Sequence, residues 1–286
     1  MARRLVILTV LLLVAISPPL AWQAWGGHIE ELRVCGDPDN LPFSNKKLEG
    51  FENKIAEVIA KEMGVPLTYY WRPHQRGLIR GTLRAGQCDV FISIPEGWDP
   101  VLWTKPYYRS GYVLVYPKAR GFQIKSLDDP VLERLKIGVY VNSPPAEALA
   151  EKGIMKNVVG YNLLYDHKQD RPGKIIEDLI AGEIDVAAVW GPVAGYFVKK
   201  LNASFLEVAP LLDGGPATPF TFEFSMGVRE GDKALKADLE QAISKRQAEI
   251  RKILEDYGVP LLPLLAKEKF GPVKEQPGQI IYHRFN

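Results

Sequence analysis

Cysteine and histidine are scarce, two and four among 286 residues. No CxxC or HxxxH spacing occurs, so no recognisable ligand set for a metal is offered. GxSxG, HExxH, GxGxxG and P-loop patterns are also absent, which removes the commonest hydrolase, zinc-protease and nucleotide-site readings. His74 and His167 stand in loop stretches outside any triad-like motif, and lone loop histidines are usually solvated. These absences point to a chain that is not an enzyme and carries no cofactor. Surplus charge is lacking too. Thirty-six Lys+Arg against 34 Asp+Glu leave a net charge of +2, which excludes the basic footprint of a nucleic-acid binder or a polybasic membrane surface.

The longest apolar run, Leu5 to Ile16, falls short of the roughly 20 residues a spanning helix needs. It follows Arg3 and Arg4, breaks at Ser17-Pro18-Pro19 and offers Ala21 and Ala24 as small cleavage residues. Residues 1–24 therefore read as a secretory signal peptide, with a mature chain starting near Trp22 or Trp25, a periplasmic location and no permanent membrane anchor. Export also makes the two cysteines worth pairing, since an oxidising compartment permits disulfides. Cys35 ends "LRVC" and Cys88 opens "CDVFISI". They form either a bridge, if those strands are neighbours with Cα atoms about 5.5–6 Å apart, or a pair of small buried thiols.

Between the cysteines the pattern alternates. "GFENKIAEVIAKEMG" places Phe51, Ile55, Val58 and Ile59 at helical spacing before a glycine stop; "PLTYYW" is a strand, "RGLIRGTLRAG" a helix, and "CDVFISI" a strand buried on both faces. After "PYYRSGYVLVY" the plan restarts with "LKIGVYV", "PPAEALAEKG", "NVVGY", "PGKIIEDLIAGE", "IDVAAVW", "GPVAGYFVKKL" and "SFLEVAP". "FEFSMGV" then crosses back, and a long helix with Leu235, Leu239, Ile243, Ile250 and Leu254 inward returns to the first half. The fold class is α/β: two doubly wound α/β lobes joined by a two-crossing hinge, with ligands expected where the strands' carboxyl ends face each other. Lobe one is assigned to 30–117 and 225–264, and lobe two to 118–224. The crossings are expected near Tyr116–Arg120 and Pro219–Phe224. The tail 265–286 outlasts the needs of the fold and reads as a strap docked on the parent domain or a partner contact.

Residues 30 to about 262, through "GFE", "AGQCDV" and "PYY", resemble the type II periplasmic solute-binding protein family. "CGDPDNLPFSN", "EGFENKIAE", "QRG" and "PYYRSGYV" are similar more narrowly to the MoxJ/XoxJ-type subgroup that accompanies pyrroloquinoline-quinone methanol dehydrogenases. That resemblance implies a periplasmic partner of the dehydrogenase, or of its cytochrome c, acting in assembly or activation. The chain is expected to be a monomer. The runner-up is the substrate-binding component of an ABC transporter for a small solute other than an amino acid.

Amino-acid-binding members of the family clamp the ligand carboxylate with an arginine and hold its ammonium with an aspartate. The matching positions here are Gly97, beside Trp98 and Asp99, and Trp190. Pro144 and Pro145 stand where backbone N–H groups would cradle an anion, and proline has none. The predicted cleft is lined by Asp37, Asn40, Phe43, Arg76, Trp98, Asp99, Tyr107, Tyr108, Arg109, Asn142, Ser143 and Trp190. This aromatic and polar set suits a peptide segment, a sugar-like ligand or a loop of another protein. The structural alternatives are a turn-capping Asp37, a Phe43 that packs its loop, and Tyr107 and Tyr108 in the core.

Overall fold

Phe51, Ile55 and Ile59 are fully buried, so the segment Phe51–Met63 coils with that stripe inward. Val58 lies at its half-buried margin. Gly64, at φ +70°, stops the helix and donates its N–H to the carbonyls of Ala60 and Lys61. The computed structural model describes residues 29–74, 77–95, 101–162, 172–212 and 218–265.

In the first half run β1 (Leu32–Gly36), β2 (Asp39–Asn40), β3 (Ser44–Asn45), α1 (Phe51–Met63), β4 (Leu67–Trp71), α2 (Leu78–Gly81), β5 (Val90–Pro95) and β6 (Leu102–Trp103). Then come β7 (Tyr108–Pro117), β8 (Ile137–Tyr140), α3 (Pro144–Glu151), β9 (Val158–Tyr161), α4 (Lys174–Ala181), β10 (Val186–Trp190), α5 (Gly191–Lys200) and β11 (Leu206–Pro210). β12 (Thr221–Val228) and α6 (Lys233–Asp256) complete the series. The main sheet runs β4-β1-β5-β12-β7-β10-β8-β9, with β11 on β7 and β6 on β12. β1 is parallel to β4 and β5, and β8 to β9 and β10, while β7 and β12 run antiparallel to their neighbours. Parallel strands on each flank and two long antiparallel strands between them make the expected periplasmic-binding-protein-like, type II architecture.

One core joins α1, β1, β5, β12 and the inward face of α6, including Leu235, Leu239, Ile243, Ile250 and Leu254. The second half carries its own clusters on the two faces of β7, β8 and β10. The long helix thus returns to lobe one as expected, and Glu62 of α1 ties it down by bonding Arg246 at 2.6 Å. Cys35 and Cys88 are disulfide-bonded with their Cα atoms 5.3 Å apart. Of the two alternatives the structure has the bridge, inside a small cluster with Leu78, Leu83 and Phe91.

Two expectations change. The stretch "RGLIRGTLRAG" forms only a single helical turn, Leu78–Gly81. Gly77, at φ +77°, cannot extend it backward, and Thr82 leaves helical geometry by turning its hydroxyl onto the Leu78 carbonyl. The first crossing also falls earlier than Tyr116–Arg120. β7 pairs with β12 through Tyr108–Gly111 and with β10 from Tyr112 to Val115, so it changes partner at Gly111–Tyr112. The second crossing lies within the expected segment, since Phe220 packs in the lobe-two core and Phe224 in that of lobe one.

A third link was not anticipated. Beyond α6 the chain runs along the hinge: the Ser110 hydroxyl donates to the Pro260 carbonyl at 2.7 Å, and Leu262 N–H to the Arg109 carbonyl at 2.9 Å. Leu265 N–H then donates to the Glu223 carboxylate at 2.7 Å. All but Leu265 of the 265–286 tail lies outside the described residues, as do residues 1–24.

Candidate functional site: the interlobe cleft

The lobe-one wall begins where β1 ends. Asp37 is buried, and its carboxylate accepts the backbone N–H of Asp39 at 3.0 Å and that of His74 at 2.7 Å. The Ser44 hydroxyl accepts the Asp37 N–H and donates to its carbonyl, both at 3.0 Å. Asp37 therefore fastens the turn to the loop after β4, as the structural alternative holds. The Asn40 side-chain nitrogen lies 3.5 Å from His74 Nδ1. Leu41-Pro42 is a cis peptide. The Pro42 and Phe43 carbonyls accept the first N–H groups of α1, from Phe51 at 2.8 Å and Glu52 at 2.9 Å, so the turn itself occupies the helix N-terminus.

Two pairings here involve polar residues absent from the expected lining, Glu52 with Ser93 and His74 with Asp37. Glu52 is half-buried, and burial pushes its carboxyl up to about 8; a hydrogen bond from Ser93 opposes that shift and the charge of Asp37 adds to it. Burial holds the His74 imidazole below its ordinary value although Asp37 pulls it upward. Nothing in the residue string separates Glu52 from an ordinary acid in a helix's first turn. Its signal is position, one residue after the inward Phe51.

The start of β7 splits by role. The Tyr107 hydroxyl donates to the Ile92 carbonyl at 2.8 Å and lies 3.0 Å from Ser93 Oγ. The Tyr108 ring stacks on Phe224 at 4.8 Å, and its buried hydroxyl has no hydrogen-bond partner among the described residues. Both rings belong to the lobe-one core. Arg109 donates to Thr221 Oγ1 at 2.8 Å and to the Pro263 carbonyl at 3.2 Å, tying β12 and the chain beyond α6 across the hinge.

On lobe two, Asn142 is exposed at φ +58°, and the Ser143 hydroxyl donates to the Tyr140 carbonyl at 2.6 Å instead of capping α3. Pro144 and Pro145 open that helix, so two of its terminal donors do not exist. Trp190 closes β10 half-buried, with ring contacts to Tyr112 at 5.1 Å, Phe224 at 5.6 Å and Phe222 at 5.9 Å. The structure packs Phe43 and Trp190 against the cores of both lobes, sets Asn40 beside His74, and gives Asp37 and Arg109 fastening roles. Arg76, Trp98 and Asp99 lie outside the described residues. Among the described residues no cluster of His, Cys, Asp and Glu has the makings of a metal site, and no helix is long and apolar enough to cross a membrane.

Comparison with known proteins agrees with this architecture. The profile of the bacterial extracellular solute-binding proteins, family 3, matches residues 32–260. Protein MoxJ of Methylorubrum extorquens AM1 is 32% identical over 250 residues, 82% of this chain and 82% of that protein. The crystal structure of the periplasmic binding protein XoxJ from Methylobacterium extorquens AM1 superposes with a TM-score of 0.69 at 40% identity, covering 82% of this chain and all (100%) of that one. That of MxaJ from Methlophaga aminisulfidivorans MPT gives 0.70 at 30% identity, with 81% and 100% covered.

Proposed function

The chain belongs to the bacterial extracellular solute-binding proteins, family 3, and from that membership we propose that it is a non-catalytic periplasmic partner protein of a pyrroloquinoline-quinone methanol dehydrogenase. It holds the dehydrogenase, or its cytochrome c, during assembly or activation, and does not carry a solute to a permease. The resemblance to the MoxJ/XoxJ-type subgroup and the similarity to MoxJ, XoxJ and MxaJ support this reading. The observation that carries it is the lobe-two wall. An indole stands where an amino-acid ammonium would need a carboxylate, and two prolines stand where an anion would need N–H donors. A wall without ion partners suits the aromatic anchoring of a protein surface better than the capture of a zwitterion.

The test is biolayer binding of the mature chain to the purified dehydrogenase, apo and cofactor-loaded, and to the cytochrome, alongside thermal shift with the standard amino acids. Binding to one of the three proteins is expected, with no shift from any amino acid. A ligand at about 100 times its Kd stabilises a fold by roughly 2.7 kcal/mol, so the shift assay is sensitive enough. Absence of all protein binding, or micromolar affinity for an amino acid, would contradict the proposal. The pairing of Glu52 with Ser93 favours the second reading, transport of a small solute other than an amino acid, and a shift with such a solute would establish it.

A further inference from the structure

Trp190 touches three rings, Tyr112 on β7 and Phe222 and Phe224 on β12, the two strands that link the lobes. It packs at once against the lobe-one core and the β10 side of the lobe-two core, and Phe43 does the same from the opposite wall. The backbone behind it has no slack. A Cβ added to Gly191 would stand 2.5 Å from the Gly111 carbonyl oxygen, and one on Gly195 would stand 1.7 Å from that of Gly258. The contact at Gly195 seats α5 directly against the chain leaving α6, so the indole cannot be withdrawn by sliding the helix that follows it.

We infer that Trp190 is the specificity-determining residue of the interlobe site, a built-in occupant whose indole joins the two cores and keeps a small solute from that place. In two-lobed hinge proteins a bound solute closes the lobes by touching both. Here an aromatic side chain from each wall already does so, and the chain sets the relation of its lobes without a ligand. The inference goes beyond the partner reading and does not depend on it.

Removal of the indole and its replacement in solution make the test. Mature Trp190→Gly is expected to melt on the order of 10 °C below wild type, the scale for truncating a packed aromatic in a domain of this size. Millimolar indole should return at least about 2 °C of that loss and leave wild type unmoved. A folded Trp190→Gly variant that melts with wild type, or whose melting indole does not raise, overturns the inference. If Trp190→Gly does not fold, Trp190→Leu takes its place: it should melt below wild type and show a larger radius of gyration in small-angle scattering. Equality with wild type in both overturns the inference. No dehydrogenase enters this assay, so its failure and the failure of the partner reading are distinguishable.

Discussion

Glu52 shows how a single carboxyl couples the cleft to pH. Asp37 just after β1, Ser93 from β5, Tyr107 just before β7 and Tyr108 at its start lie around it. Its folded pKa, about 8, lies above the 4.5 of a free glutamate. Between those values the folded chain keeps a proton that the unfolded chain has released, so this group's contribution to stability is fully present below pH 4.5 and is lost as pH rises toward about 8. Glu52→Gln keeps a hydrogen-bonding partner for Ser93 and removes the titration. Urea unfolding should show the variant gaining on wild type by at least about 1.4 kcal/mol from pH 5 to pH 8, the equivalent of one pKa unit. Parallel pH profiles would contradict the assignment. The residue string singles out Trp190 because it stands where the resemblance expects a charge. Glu52 stayed hidden because its burial depends on β5 and β7, far along the chain.

Helix α5 meets the chain beyond α6 through two glycines and two rings. The Gly195 and Gly258 backbones touch, Tyr196 stacks on Tyr257 at 5.9 Å, and Lys199 Nζ donates to the Asp256 carbonyl at 2.5 Å. Gly195→Ala pushes a methyl into backbone, which cannot give as a flexible side chain can, and should cost roughly 1–3 kcal/mol. Gly231→Ala is the control: its Cβ would meet nothing within 4 Å, and its effect should stay within about 0.5 kcal/mol. Equal urea midpoints for the two variants would rule out the contact. At this scale the sequence is readable wherever periodicity is strong. The inward face of α6, the βα alternation and the strand that carries Cys35 stand where the pattern puts them, while the strand expected to open at Cys88 starts two residues later, at Val90. It is unreadable where pairing decides. β7 is one continuous strand, Tyr108–Pro117, and only its two sets of partners show that it changes lobe at Gly111–Tyr112. The helical pattern around Leu78 and Leu83 was real, but its glycines and the Thr82 back-bond cut it to one turn.

For the whole molecule, the two-lobed plan was legible because each half repeats the same alternation and buries its own core. The ties that bind the halves were not, because Arg109, Ser110 and Pro260 meet only after α6 has brought the chain back to the hinge. A body fastened at β7, at β12 and beyond α6, with aromatic side chains joining its cores, is better suited to presenting a fixed surface than to opening and closing on a solute. The most direct measurement of that account is the specific activity of the methanol dehydrogenase purified from the periplasm of cells lacking this chain, with and without the chain restored. The account predicts a dehydrogenase that is exported but has at least about a tenfold lower activity, the factor equivalent to about 1.4 kcal/mol, recovered when the wild-type chain is returned. Full activity in its absence would contradict it.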